Sequence, residues 1–242
     1  MLPAVLTASH CPHLIGGGGK TTLLYALARA AVARGETAIT TTTTRILAPA
    51  AHESPALLIR PDAASLAAAL SRYHHVTAAA ADNAGKLRGD AAFVEQLAAG
   101  RAADRLIVEA DGSAGLPLKA HADHEPVISR AADAVIALIG ADCIMMPLGD
   151  RTVHRSALFA ERFALAPGTL LSPAHVAAAV LPPRGYAARV PASLPFIAVI
   201  TKAVTPLLYR QARELALLLR AHPRVSAVCL GDLLAGELAA VD

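Results

Sequence analysis

The segment "HLIGGGGKTTLL" sets Gly16, Gly17, Gly18 and Gly19 directly before Lys20, Thr21 and Thr22. Residues of this kind can hold a phosphate. Glycines leave the backbone amides bare, and a following helix adds its unpaired amides and the positive end of its dipole. Lys20 then reaches the outer phosphates, and the Thr21 hydroxyl serves Mg²⁺. The full phosphate-loop pattern asks for glycine at position 14, where Leu14 stands. The loop reads instead as a compressed Gly-x-Gly-Gly-Lys-Thr-Thr, comparable to the short loops of Mur-type ligases. The competing reading is a glycine linker before a helix.

A nucleotide bound with magnesium calls for a carboxylate at a neighbouring strand end. "LIVEADGS" offers Glu109 and Asp111, which share one parity along a strand. One would hold the metal's water shell and the other would orient an attacking water. Asp-Gly is also a common turn. The run Thr40 to Thr44 suits a strand, yet it puts hydroxyls on a face that should be apolar. Thr42, Thr43 and Thr44 are therefore pocket candidates, and Arg45 adds positive charge beside them.

"LPLKAHADHEP" gathers Lys119, His121, Asp123, His124 and Glu125 between prolines just past the acidic strand. Such a loop suits a second anionic group or a metal, or is a solvated connection. His10, Cys11 and His13 do not have standard metal-ligand spacing. His74 and His75 fall on opposite sides of any strand.

These residues need a scaffold. Apolar runs such as "RLIVE", "AVIALIG" and "PFIAVIT" alternate with amphipathic stretches such as "KTTLLYALARAAVARG" and "PLLYRQARELALLLRAH". The pattern predicts an α/β fold, P-loop-like, with a mostly parallel sheet and helices on both faces. Asp62 is a helix N-cap candidate, and Ser172 with Pro173 marks another helix start. One domain fits the 242 residues, with a small C-terminal lobe from about residue 165 suggested by a proline-rich patch.

Hydrophobic residues are 55% of the chain and aromatics only 3%, with no Trp, so an aromatic platform for nucleic-acid bases is not expected. The net charge of +3 is scattered, which argues against a nucleic-acid stripe. Three cysteines without a CxxC argue against a disulfide framework or zinc site. No signal peptide or apolar membrane span is expected, and a cytoplasmic location follows.

Three strings, "GGGGKTT", "ITTTTTRI" and "EADGSAGLPLKAHADHEPVI", together with "VHR" at 153–155, resemble the YqeC-type accessory proteins of selenium-dependent molybdenum hydroxylases. The resemblance implies a P-loop-like fold, binding of ATP or GTP with Mg²⁺, and a part in maturing such a hydroxylase. It also assigns Lys119, His124, Glu125, His154 and Arg155 to contacts with a substrate or partner, the hydroxylase or its cofactor. "VITKAV" puts Thr201, Lys202 and Val204 where a guanine reader has an Asn-Lys-x-Asp-like sequence, so the base stays open. Three functions are compatible: a nucleoside triphosphatase, a nucleotide-gated module delivering molybdenum cofactor or selenium, and a Mur-like ligase. The chain is short for the last.

Overall fold

A computed structural model describes residues 2–241. A single turn, α1 (Ala4–Thr7), leads into β1 (Pro12–Gly16) and α2 (Lys20–Val32). Then come β2 (Ala38–Thr42), β3 (Arg45–Leu47), β4 (Leu57–Ile59), α3 (Ala63–Tyr73) and β5 (His75–Ala79). The hairpin β6 (Ala81–Asn83) and β7 (Lys86–Arg88) precedes α4 (Ala91–Ala99), β8 (Arg105–Glu109), β9 (Leu118–Lys119) and β10 (Ala134–Gly140). β11 (Val153–His154) runs towards α5 (Ser156–Phe163) and α6 (Pro173–Val180). β12 (Phe196–Thr201), α7 (Pro206–Arg220), β13 (Ala227–Asp232) and β14 (Glu237–Ala240) follow.

Among the described residues, nine strands form one sheet in the order β14-β13-β12-β10-β1-β8-β2-β5-β4. All pairings in it are parallel except β13 with β14. This is the α/β class read from the apolar runs. β10 is buried at every position because helices or ribbon cover both faces. Side-chain parity sorts the core. Leu14, Ile136 and Leu138 pack with Leu23, Leu24 and Leu27 of α2 on one side. Ile15, Val135 and Ala137 pack with Val176 of α6 and Leu215 of α7 on the other. On that second side α3 and α4 add Leu66, Leu70 and Val94 against Ile39, Val76 and Val108.

The caps are local and legible. Asp62 accepts from Ser65 N at 2.7 Å, and Ser172 forms a reciprocal box with His175 ahead of Pro173. β12 and β13 continue the main sheet, and α7 packs on them.

Several boundaries differ from expectation. The threonine strand ends at Thr42, because the chain turns and Thr44 N donates to the Thr42 hydroxyl. The stretch "TVHRSALFAERFAL" at 152–165 reads in the sequence as one helix, yet the helix starts only at Ser156. Arg155 has φ 61°, and Val153–His154 pair in parallel with Leu118–Lys119 instead. A three-stranded antiparallel ribbon, β3-β7-β6, was not foreseen. Its buried residues Ile46 and Leu87 join the α2 side of the core.

Candidate functional site

β1 lies between β10 and β8 in mid-sheet, and its carboxyl end opens into the glycine loop. The loop is stitched to its surroundings. Gly16 N donates to Asp111 Oδ2 at 2.8 Å, Gly17 N to the Leu138 carbonyl at 2.9 Å, and Gly18 N to the Leu116 carbonyl at 3.1 Å. The Thr201 hydroxyl donates to the Gly18 carbonyl. The expected open cradle of amides at Gly16, Gly17, Gly18 and Gly19 is therefore narrower than the sequence suggested. The first three amides bond the protein itself, because the loop threads between β10 and the segment at 116–117. A Cβ on Gly18 would collide with the backbone of Gly140. Gly19 is a glycine for another reason: its φ is 113°, and a Cβ there would meet only Leu233 Cδ2 at 3.9 Å.

Past Gly19 the loop faces a cavity of about 560 Å³. Gly19, Lys20, Thr21 and Thr22 line it, and the first amides of α2 belong to the set a helix cannot pair internally. Glu109, Gly112 and Ser113 form another wall. The Thr21 hydroxyl donates to Glu109 Oε2 at 2.8 Å. Burial raises the pKa of Glu109, against the pull of Lys20 and the Thr21 hydrogen bond.

The Lys20 ammonium is turned inward. It donates to the Gly16 carbonyl at 2.5 Å and to Ser113 Oγ at 3.2 Å, and stands 3.1 Å from Asp111 Oδ1 and 4.0 Å from Glu109. Asp111 is wholly buried and lies below the cavity rather than in its wall. Its Oδ2 is 2.5 Å from His121 Nε2 and 3.3 Å from Lys119 Nζ. Burial opposes its charge, yet Lys20, the His121 hydrogen bond and Lys119 outweigh that and hold its carboxyl well below the usual range. Burial lowers the pKa of both Lys119 and His121. The sequence reading gave Asp111 a metal role. The geometry commits it to Gly16, His121 and two lysines.

Lys119 continues outward, donating to Glu125 Oε2 at 2.8 Å and to the Gly112 carbonyl. Arg155 reaches the same Glu125 oxygen at 2.5 Å. Burial works against the Glu125 charge, but the Arg155 and Lys119 hydrogen bonds prevail and lower its pKa. The fold thus brings Lys119, Glu125 and Arg155 into one ionic chain with Asp111. His154 is half-buried beside it, on β11, while His124 is exposed.

The threonine candidates do not reach the cavity. Thr42 donates to the Glu109 carbonyl at 2.8 Å, and Thr43 to the Val127 carbonyl at 2.8 Å. Thr44 is 3.3 Å from the Thr42 hydroxyl. All three hydroxyls serve the protein's own framework, and none lines the cavity. Ser113, Lys86 and Lys202 do line it; Lys202 was named only for the base-reading slots, and Ser113 and Lys86 were not singled out. Ser113 sat inside the quoted acidic string, whereas nothing local marks Lys86.

Among the described residues, no cluster of three or more His, Cys, Asp or Glu side chains has metal-binding geometry. Cys11, Cys143 and Cys229 are buried and free. No described helix is long and apolar enough to cross a membrane.

These features define an α/β protein whose glycine loop is locked to an acidic strand end beneath an open cavity. The model of the YqeC protein family matches residues 13–157. "Uncharacterized protein YqeC" of Escherichia coli (strain K12) is 33% identical over 185 residues, covering 74% of this chain and 70% of that protein. The chain belongs to the YqeC family.

Proposed function

We propose that this chain binds ATP or GTP with Mg²⁺ over the start of α2 and hydrolyses it, in the cytosol, to drive maturation of a selenium-dependent molybdenum hydroxylase. One observation carries the nucleotide reading: Thr21 Oγ1 and Glu109 Oε2 sit 2.8 Å apart beside Lys20, on the wall of a ligand-sized cavity. A hydroxyl and a carboxylate are hard oxygen donors, and magnesium takes one or two such ligands together with phosphate oxygens. When bound, the metal neutralises charge developing on the transferring phosphoryl group.

The chain's own groups do the rest. Gly19 and the first amides of α2 receive the phosphates. Lys20 leaves the Gly16 carbonyl and swings towards them, while Lys119 and His121 stay to hold Asp111. Asp111 anchors the loop through Gly16 N, and Glu109 faces the reacting end. The hydroxylase client is supported by the resemblance of the "EADGSAGLPLKAHADHEPVI" string and of "VHR" at 153–155; Lys119 and Glu125 of the first lie with His154 and Arg155 of the second beyond the loop, with His124 at the surface.

Lys20→Ala tests the reading. In calorimetry with magnesium-loaded ATP and GTP, affinity should fall about 10- to 100-fold, the worth of a charge-assisted bond. Unchanged affinity overturns the assignment.

The inward Lys20 favours a second reading, a nucleotide-gated delivery module with negligible turnover, because its partners here are all protein groups that a bound nucleotide would replace. Phosphate release with and without the client hydroxylase separates the two. Tight binding without release selects the module.

A further inference from the structure

The ribbon of β3, β7 and β6 borders the cavity through Arg45, Ile46, Leu47 and Lys86. Its register sets Arg45 opposite Arg88, Ile46 opposite Leu87, and Leu47 opposite Lys86. Directly opposed residues of an antiparallel pair project to the same side. Ile46 and Leu87 are buried against the α2 side of the core. Arg45, Arg88, Leu47 and Lys86 therefore share the outer side, where all four are exposed. β6 adds Ala81 and Asn83 to that side, while Asp82 is registered with Leu87 on the inner one. The outer side carries cations and no carboxylate.

Like charges directly opposed across strands are unfavourable, and Arg45 faces Arg88 without relief. Arg45 and Lys86 also line the cavity, together with Lys20 and Lys202. Lys20 is paired with Asp111 and Lys202 with Asp142 at 2.8 Å. Among the described residues, Arg45 and Lys86 have no carboxylate within ion-pair distance. Between them Leu47 is 69% exposed.

We infer that Arg45 and Lys86 form a second anion subsite, on the ribbon that borders the cavity also lined by the start of α2. It takes the phosphate or carboxylate of an organic anion whose apolar part rests on Leu47. That this anion is the co-substrate or cargo of a nucleotide-driven step rests on the function proposed above. The subsite itself does not.

The test is calorimetric titration with inorganic phosphate, and separately with magnesium nucleotide. It uses the whole chain, Lys20→Ala, and the double variant Arg45→Gln with Lys86→Gln. Exposed polar replacements leave Ile46 and Leu87 in place, and circular dichroism checks the fold. Arg45→Lys with native Lys86 serves as the conservative control and should keep phosphate binding. Phosphate affinity should fall at least about tenfold in the double variant and survive in Lys20→Ala. Nucleotide affinity should fall most in Lys20→Ala. Phosphate loss that follows Lys20 and spares the ribbon variant overturns the subsite, as does a wild type that binds no phosphate. So does a ribbon variant that loses nucleotide as severely as Lys20→Ala. A chain that binds phosphate through the ribbon but binds no nucleotide refutes the function proposed above and leaves the subsite standing.

Discussion

The Lys20 ammonium lies 3.1 Å from Asp111 Oδ1, and both side chains are almost completely shielded from solvent. A buried pair of this kind contributes little against a hydrophobic replacement, yet losing one partner strands the other. Asp111 also neutralises Lys119 and receives Gly16 N. Asp111→Asn should therefore destabilise the protein by about 3–5 kcal/mol, read from urea unfolding. A change below about 1 kcal/mol would show that the cluster is not the electrostatic anchor of the loop.

Acid should weaken the fold as buried histidines take up protons. His13 and His75 are held down to a pKa of about 4, in both cases chiefly by burial. Unfolded histidine takes up a proton near pH 6.5. Their stabilising effect is complete above that pH and drains away as pH falls towards 4, by at most about 3 kcal/mol each. Unfolding midpoints at pH 7.5 and 4.5 should differ accordingly, and His75→Gln should reduce the difference. A flat profile over this window would contradict the assignment.

Two adjacent glycines should respond differently to alanine. At Gly18 the new methyl collides with the backbone of Gly140, which cannot move without disturbing the end of β10. At Gly19 it meets nothing closer than 3.9 Å and pays only for φ 113°. Gly19→Ala should cost about 1–2 kcal/mol, and Gly18→Ala clearly more. Equal costs in urea titrations would mean that backbone conformation, not crowding, fixes both positions.

Glu109→Gln removes a buried charge whose ionised form burial already disfavours. The variant should unfold no earlier than the parent on heating. Under the function proposed above, it should also lose most of the extra thermal shift that Mg²⁺ adds to nucleotide. A magnesium shift equal to the parent's would remove Glu109 from the metal site.

The parallel sheet was legible because buried strands such as β10 read as uninterrupted apolar runs. Asp62 and Ser172 announced their helices through short-range caps. The ribbon was hidden because Arg45–Leu47 and Lys86–Arg88 are three-residue strands, too short for a period to register. β11 was hidden inside a helical pattern, since only the distant Leu118–Lys119 makes Val153–His154 a strand. At the site, Lys20, Thr21 and Glu109 could be found by motif. The locked state of the loop could not, because its amide partners Leu138 and Leu116 lie on other segments. Thr42 and Thr43 misled for a similar reason: their hydroxyls bond backbone carbonyls at Glu109 and Val127, which composition does not reveal.

β10 sits at the heart of the sheet, with β1 on one edge and β12 on the other. The family match stops at residue 157, before β12 begins. A fragment trimmed to that match would bare the flank of a fully apolar strand and release Gly18 from Thr201. Such an open flank templates intermolecular pairing. The matched stretch is thus a signature and not an autonomous folding unit, and fragments meant for expression need to extend through β13.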